Sequence, residues 1–202
     1  MVLTFDDGPH PEGTPAVLRA LGEARAVFFM VGEQVERYPS LAAEVAAAGH
    51  EIALHGYRHV NQMRVTPGWL SRDLQRGADA IAAATGQVPR LYRPPYGIFT
   101  PAGLALARRH YDLLLWSKWG RDWRSRTTGE EIASLATWNL ARGDVILLHD
   151  ADWYSASGSH RRTAEAVPLV LEALERAGLQ PTGSGSAASA SNASAGARSQ
   201  SM

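Results

Sequence analysis

The sequence predicts an α/β fold in which alternating strands and helices build a parallel sheet or barrel. Short apolar runs alternate with amphipathic helical stretches along the chain, and this alternation within one domain is typical of parallel sheets. The helical stretches carry start signals, since Thr66-Pro67 and Thr100-Pro101 each offer an N-cap followed by proline at the first helical position. In such folds catalytic side chains gather at the carboxyl ends of the strands, so the residues after each predicted strand are candidates for a functional site.

Five strands and six helices are predicted along the chain. The strands are the apolar runs Val2–Phe5, Ala26–Val31, Glu51–Leu54, Asp112–Trp116 and Asp144–Leu148. The helices are the amphipathic stretches Thr14–Ala24, Ser40–Ala48, Pro67–Thr85, Pro101–Arg109, Gly129–Leu140 and Arg162–Ala177. From Gly183 to Met202 the chain consists mainly of Ser, Ala and Gly without periodicity, so we expect a disordered tail behind one folded domain over residues 1–182.

Composition excludes several classes of function. Lys and Arg number 20, as do Asp and Glu, so no basic field would hold nucleic acid or an anionic membrane. The absence of cysteine excludes disulfides, zinc fingers and thiol catalysis. No apolar run is long enough to span a membrane, and Met1 leads directly into a strand rather than a signal peptide. We therefore expect a soluble protein, either cytoplasmic or a secreted domain whose signal peptide is missing.

Two adjacent carboxylates, Asp6 and Asp7, follow the first predicted strand and precede a Gly-Pro turn. Neighbouring side chains of an extended chain point to opposite sides, so one carboxylate can bind a cation while the other does acid–base work. Taken alone, an Asp-Asp-Gly sequence is more often an exposed acidic turn.

His55 and His59 follow the third predicted strand at positions i and i+4. Two histidines so spaced can face one metal when the backbone between them makes a helical turn, although the spacing alone also arises by chance. Because a parallel fold brings strand ends together, Asp7, His55 and His59 are predicted to bind a divalent metal and leave positions open for water and substrate. This ligand set suits zinc, and cobalt or nickel would also fit.

The segment Leu91–Gly97 is stiffened by Pro94 and Pro95. Restricted backbone of this kind can fix the direction of the Tyr96 amide, which could then donate to an oxyanion. Arg93 is a permanent cation that can hold a neighbouring carboxylate ionised. Taken alone, the segment is better explained as a surface loop that contains an arginine.

Aromatic residues and a terminal histidine complete the candidate set. Trp116, Trp119 and Trp123 lie within eight residues beside a charged pair, a pattern that suits a sugar-binding wall as well as a core. The apolar strand Asp144–Leu148 is followed by His149. At the catalytic end of a parallel sheet this histidine is predicted to be a proton donor rather than a core residue.

In this order, the five segments resemble the polysaccharide deacetylases, the nodulation-protein-B-like domains of carbohydrate esterase family 4. The strings Thr-Phe-Asp-Asp-Gly-Pro and Arg-Pro-Pro-Tyr-Gly are specific to that resemblance, which extends from residue 2 to about residue 180. The resemblance implies a distorted (β/α) barrel with about seven parallel strands. It also implies a metal-dependent hydrolase that removes N-acetyl groups from N-acetylated carbohydrates, so that residues 1–182 would be the catalytic domain.

The resemblance implies a role for each site residue. Asp6 would be the general base and His149 the general acid. Arg93 would orient and tune Asp6, Asp122 would support His149, and the Tyr96 amide would stabilise the oxyanion. The metal ligands would again be Asp7, His55 and His59. The implied substrate-binding residues are Trp123 and Leu147, around the acetyl methyl group, together with Pro94 and Tyr96.

Two positions depart from the family pattern. Gly56 follows the first metal histidine, where the family usually has a Ser or Thr whose hydroxyl ties down the loop, so a looser loop is expected. Trp119 stands three residues before Asp122, where the family often has an acid. The second departure concerns the wall of the cleft and therefore the substrate.

Several alternative functions stay open at this point. A catalytically inactive sugar-binding module on the same fold would require a lost base, acid or ligand, and none is lost. An iron oxygenase could also use two histidines and one carboxylate, but the additional Asp6–His149 pair argues against it. An O-acetyl esterase or a cyclic-amidase relative would differ in the bond that is hydrolysed, which a fold does not specify. The sequence assigns no oligomeric state.

Overall fold

The computed structural model describes residues 1–184, and its centre is a sheet of seven parallel strands. The strands are β1 (Val2–Asp6), β2 (Val27–Met30), β3 (Glu51–Leu54), β4 (Leu91–Tyr92), β5 (Asp112–Leu113), β6 (Lys118–Trp119) and β7 (Val145–His149). They lie side by side in the order β5-β4-β3-β2-β1-β7-β6, and every pairing is parallel. The predicted α/β fold with about seven parallel strands is confirmed.

Helices connect the strands and cover the outer face of the sheet. They are α1 (Gly13–Leu21), α2 (Gly32–Arg37), α3 (Pro39–Ala47), α4 (Pro67–Thr85), α5 (Pro101–Ala107), α6 (Gly129–Ala136) and α7 (Ser159–Arg176), with 3₁₀ turns at Gln62–Arg64 and Pro95–Gly97. The hydroxyl of Thr66 accepts from Trp69 N and that of Thr100 from Gly103 N. These two caps satisfy backbone donors in the first turns of α4 and α5, as their sequences predict.

Residues 114–117 join the two edges of the sheet and give it the shape of a distorted barrel. Leu114 N donates to Tyr92 O of β4 at 3.3 Å, and Ser117 N donates to Val145 O of β7 at 3.0 Å. The guanidinium of Arg93 donates to Leu114 O at 2.8 Å. The predicted single strand Asp112–Trp116 is therefore β5 followed by a segment that bridges from β4 to β7.

Other differences from the predicted elements have local causes. β4 and β6 have two residues each, too few to show an apolar period. α2 is a mostly polar helix of six residues. It is likewise too short to show an apolar period, so it was not predicted. α6 ends at Ala136, four residues earlier than predicted, and Asn139 beyond it has a left-handed backbone with φ of 51°.

Apolar side chains alternate between two cores. One face of the sheet packs against the helices through residues such as Phe5, Phe28 and Ile146. The other face encloses a smaller inner core of Val2, Val27, Phe29, Ala53, Leu91 and Val145. Because alternate residues of a strand share a face, Thr4 and Asp6 lie above Val2 on the inner face. The interior of the barrel thus changes from apolar to ionisable towards the carboxyl ends of the strands.

The two ends of the described chain lie together. Thr182 N donates to Met1 O at 2.8 Å, and the Ser184 hydroxyl donates to Glu51 Oε1 at 2.7 Å. Residues 185–202 of the predicted tail lie outside the described residues. Among residues 1–184, no helix has the length and hydropathy needed to cross a lipid bilayer.

Candidate active site

Three side chains at the ends of β1 and β3 converge on one point. Asp7 Oδ1 lies 3.2 Å from His59 Nε2 and 3.5 Å from His55 Nε2. Asp7 has a left-handed backbone with φ of 79°, which turns its side chain away from that of Asp6. Asp7 Oδ1 is buried and has no hydrogen-bond partner within the described residues. The structure thus brings together the three predicted metal ligands, with one buried oxygen left for a cation.

The charge states of these residues suit a cation. His55 Nδ1 donates to Arg93 O at 2.7 Å, so its Nε2 presents a lone pair towards Asp7. Burial lowers the pKa values of His55 and His59 to about 3, so both imidazoles are neutral at pH 7. Burial also raises the pKa of Asp7 to about 7. A divalent cation at this point would offset the burial cost of that carboxylate, and the donor set therefore fits a divalent metal.

The loop between the two histidines is anchored by a carboxylate from α4. Asp73 Oδ2 accepts from Tyr57 N at 2.9 Å and Oδ1 accepts from Arg58 N at 3.1 Å. Gly56 has a φ of 85°, and a Cβ added there would lie 3.1 Å from Arg58 O and from Asp73 Oδ2. The Asp73 carboxylate therefore anchors this loop without a hydroxyl at position 56, so the expectation of a looser loop is not met.

Arg93 lies inside the barrel and pairs with Asp6. Its Nη1 donates to Asp6 Oδ1 at 2.6 Å and to the Thr4 hydroxyl at 2.9 Å, and its guanidinium stacks on Phe29 at 4.0 Å. Burial raises the pKa of Asp6, while the charge of Arg93 and its hydrogen bond oppose this effect. The predicted pairing of this arginine with a carboxylate is therefore present in the geometry, and the carboxylate is Asp6.

His149 and Asp122 form a second ionic pair at the end of β7. His149 Nδ1 lies 2.9 Å from Asp122 Oδ1, and His149 N donates to Asp122 Oδ2 at 2.7 Å. The Thr163 hydroxyl also donates to Asp122 Oδ2, at 2.8 Å. Burial disfavours the charged imidazole, but the Asp122 carboxylate and its hydrogen bond outweigh burial and raise the pKa of His149 to about 10. At pH 7 the imidazolium donates its Nδ1 proton to Asp122. Its Nε2 proton is then available to a ligand in the cavity.

A cavity of about 350 Å³ opens above these residues. Its lining includes the predicted ligands, Asp6, His149, Leu147 and Trp123, and also Tyr96 and Gly97. The side chain of Pro94 is buried and is not among the lining residues. Tyr96 has a left-handed backbone with φ of 63°, and its N–H donates to no backbone carbonyl of the described chain. This N–H is therefore available to a ligand.

Tryptophans form one wall of the cavity. The ring centroids of Trp116 and Trp119 are 6.2 Å apart, and those of Trp119 and Trp123 are 5.4 Å apart. Trp119 is partly exposed at the rim, with the Arg121 guanidinium 5.3 Å from its ring. The three tryptophans of the sequence motif thus line the cavity, and Trp116 also packs against the inner core.

Three residues of the site carry no signal in the sequence: Asp73, Tyr154 and Thr163. Each reaches the site through a contact with a residue distant in the chain, for example Thr163 with Asp122 and Tyr154 with His59. A threonine or tyrosine in a helix or loop has no local pattern that distinguishes such a role. These residues could be found only from the folded structure.

A second group of possible ligands, His10, Asp152 and His160, lies beside the site. His10 Nε2 and His160 Nδ1 each lie 3.2 Å from an oxygen of Asp152. The backbone N–H groups of Glu12 and Gly13 donate to His10 Nδ1, so the proton of the neutral ring is on Nε2. That nitrogen therefore has no lone pair for a cation. We interpret the group as two imidazoles that face one carboxylate and link the loops after β1 and β7.

Known proteins of one family match this chain in sequence and in fold. The model of the polysaccharide deacetylase family matches residues 1–111. The chain is 35% identical over 188 residues to a chitooligosaccharide deacetylase of Bradyrhizobium sp., with 88% of this chain and 85% of that protein covered. It is 34% identical over 186 residues to a peptidoglycan-N-acetylglucosamine deacetylase of Bacillus cereus, with 89% and 84% covered. A family 4 acetyl xylan esterase from Clostridium thermocellum in complex with a cobalt ion has a TM-score of 0.83 at 25% identity, with 90% and 86% covered.

Proposed function

The chain belongs to the polysaccharide deacetylase family, and we propose that it is a metal-dependent hydrolase that removes N-acetyl groups from N-acetylated amino sugars. The products are acetate and a free amine. The observation that carries this proposal is the placement of a carboxylate, Asp6, and an imidazolium, His149, side by side in the lining of one cavity. Hydrolysis of an amide needs both, since a water must lose a proton and the departing nitrogen must gain one.

The metal site would consist of Asp7, His55 and His59. Two neutral imidazoles and one carboxylate suit zinc, and the same ligands accept cobalt or nickel. A divalent cation held there would lower the pKa of a bound water and polarise the acetamide carbonyl. Family membership removes the oxygenase alternative.

Asp6 and His149 each carry out one of the two proton transfers. Asp6 accepts a proton from the attacking water, and Arg93 fixes the direction of its carboxylate through the 2.6 Å contact. As the water oxygen adds to the acetyl carbon, the Tyr96 N–H donates to the developing oxyanion, and one such donor is worth about 3 kcal/mol. When the C–N bond breaks, His149 gives its Nε2 proton to the nitrogen, which leaves as an amine.

The substrate is held by the walls of the cavity. Leu147 and Trp123 line the cavity. The Trp123 ring lies 5.7 Å from that of His149, and Leu147 precedes His149 by two residues on β7, so we propose that they receive the acetyl methyl group. The tryptophan wall offers flat apolar faces for a sugar ring. A chitooligosaccharide and a peptidoglycan strand both present N-acetylglucosamine, and both are therefore candidate substrates.

A second candidate function is hydrolysis of O-acetyl esters. The similarity to the structure of an acetyl xylan esterase favours it, and the same base, oxyanion donor and metal ligands would serve it. An inactive sugar-binding module is not favoured, since none of the residues that the reaction needs is missing.

The test is acetate release from chitooligosaccharides, peptidoglycan fragments and acetylated xylan. It uses metal-depleted protein before and after zinc is added back. Zinc-dependent release of acetate with an equal amount of free amine supports the proposal. Release from acetylated xylan alone would assign the protein to the esterases.

A further inference from the structure

The two histidines of the predicted metal site are held in different ways. His55 Nδ1 has a hydrogen-bond partner, Arg93 O, at 2.7 Å. His59 Nδ1 is buried and has no hydrogen-bond partner on another described residue. A metal-binding histidine usually donates its second N–H to a carbonyl or carboxylate, which fixes the direction of the ring. His59 has no such bond to another described residue, and the contacts on the faces of its ring can set the direction of Nε2.

The ring of Tyr154 stacks on His59. The two ring centroids are 4.0 Å apart and the planes differ by 10°. Tyr96 contacts the same imidazole with an edge-to-face geometry, at a centroid distance of 4.6 Å. Tyr154 therefore covers one face of the imidazole, and two aromatic rings together restrict its rotation.

Tyr154 is itself fixed by polar contacts. Its hydroxyl donates to Glu33 Oε1 at 3.0 Å and accepts from Gln34 Nε2 at 3.4 Å. Both partners lie in the first turn of α2. The ring is thus supported at its far end and cannot swing away from His59 without breaking these contacts.

Trp153, the residue before Tyr154, anchors the loop that follows β7. Trp153 packs on His10 at a centroid distance of 4.4 Å and stacks on Tyr38 at 6.0 Å, and its Nε1 donates to Pro9 O. Asp152, one residue earlier, faces the imidazoles of His10 and His160 at 3.2 Å. The loop after β7 is therefore attached to the loop after β1 by two successive residues before it presents Tyr154 to the site.

We propose that Tyr154 is a positioning residue for the metal ligand His59. The stacked ring takes the place of a hydrogen bond from Nδ1 to another residue and directs Nε2 towards Asp7. The aromatic ring carries this role, and the hydroxyl contributes by holding the ring. The inference rests on the proposed function only in that the site binds a divalent metal.

The test measures zinc affinity on metal-depleted protein by competition with a chromophoric chelator. Tyr154→Leu and Tyr154→Ala should bind zinc about 10–100-fold more weakly than the parent, the range for loss of a residue that orients a ligand. Tyr154→Phe keeps the ring and should stay within a few-fold of the parent. Trp138→Ala, which removes an exposed aromatic residue outside the cavity, is the matched control.

The outcomes separate this inference from the proposed function. Parent-like zinc affinity in folded Tyr154→Leu protein would overturn the role of the ring, whatever the activity. Equal loss in Tyr154→Phe and Tyr154→Leu would show that the hydroxyl contacts matter and not the stack, and would also overturn it. If the parent binds zinc and releases no acetate, the proposed function fails while the Tyr154 inference is still decided by these affinities.

Discussion

Asp6 and His149 are register partners: in the pairing of β1 with β7, Asp6 lies opposite His149, just as Thr4 lies opposite Leu147. The two strands are neighbours in the sheet, and both residues face the barrel interior. The candidate base and acid are thus fixed relative to each other by backbone hydrogen bonds rather than by loop conformation. Each then has its own buried ionic partner, Arg93 for Asp6 and Asp122 for His149.

The first prediction concerns the pH dependence of the reaction. Asp122→Asn removes the anion that stabilises the imidazolium of His149, so the pKa of His149 should fall. Because the protonated form is the active one, the alkaline limb of the kcat/KM profile should move to lower pH, by roughly 1–3 units. The measurement is acetate release between pH 5 and 10 with zinc present. Asp112→Asn, at an exposed position, is the control, and an unmoved alkaline limb would remove Asp122 from this role.

The second prediction concerns metal binding. His55→Ala removes one of the three proposed ligands, so the protein should lose tightly bound zinc and activity together. Metal content after dialysis, measured by atomic absorption, tests this against the parent. His110→Ala removes an exposed histidine outside the cavity and should keep both properties. Full turnover by protein shown to be free of metal would refute the metal-dependent mechanism.

The third prediction concerns the loop between the histidines. Asp73→Ala leaves the N–H groups of Tyr57 and Arg58 without their carboxylate, which should cost roughly 1–3 kcal/mol for each group that stays buried. Zinc affinity should fall as well, because those N–H groups hold the backbone between the two ligands. Asp79→Ala removes an exposed carboxylate from the same helix and is the matched control. Denaturant unfolding and zinc titration give the two readouts, and parent-like values in both would contradict the anchoring role.

A fourth prediction follows from the backbone of Gly56. The resemblance implies a Ser or Thr at this position, yet Gly56→Ser should destabilise this protein by about 1–2 kcal/mol, since a left-handed backbone is unfavourable for a non-glycine residue. The new Cβ would also lie 3.1 Å from Asp73 Oδ2 and Arg58 O. The measurement is the free energy of unfolding in urea. A more stable variant would show that the loop can relax to accept a hydroxyl.

Sequence reasoning placed the candidate site residues that lie next to long apolar strands. Asp6, Asp7 and His149 could be assigned because β1 and β7 are five-residue runs whose ends are visible in the sequence. β4 and β6, with two residues each, gave no comparable signal, so the number of strands, about seven, came only from the family resemblance. Asp73 and Tyr154 were missed because their roles depend on contacts between residues far apart in the chain.

The last prediction separates amide from ester hydrolysis. An amine is a poor leaving group and must gain a proton before the C–N bond breaks, whereas the alcohol of an acetyl ester depends less on that proton. His149→Ala should therefore lower kcat/KM for an N-acetylglucosamine oligomer by roughly 10²–10⁴-fold, and lower it far less for an activated acetyl ester. Zinc content measured on the same samples shows whether the metal site is intact. Equal losses on both substrates, with zinc retained, would mean that His149 supports a step common to both reactions, such as orientation of the acetyl group. Little loss on the amide would mean that another group protonates the nitrogen, and the assignment of the acid would be wrong.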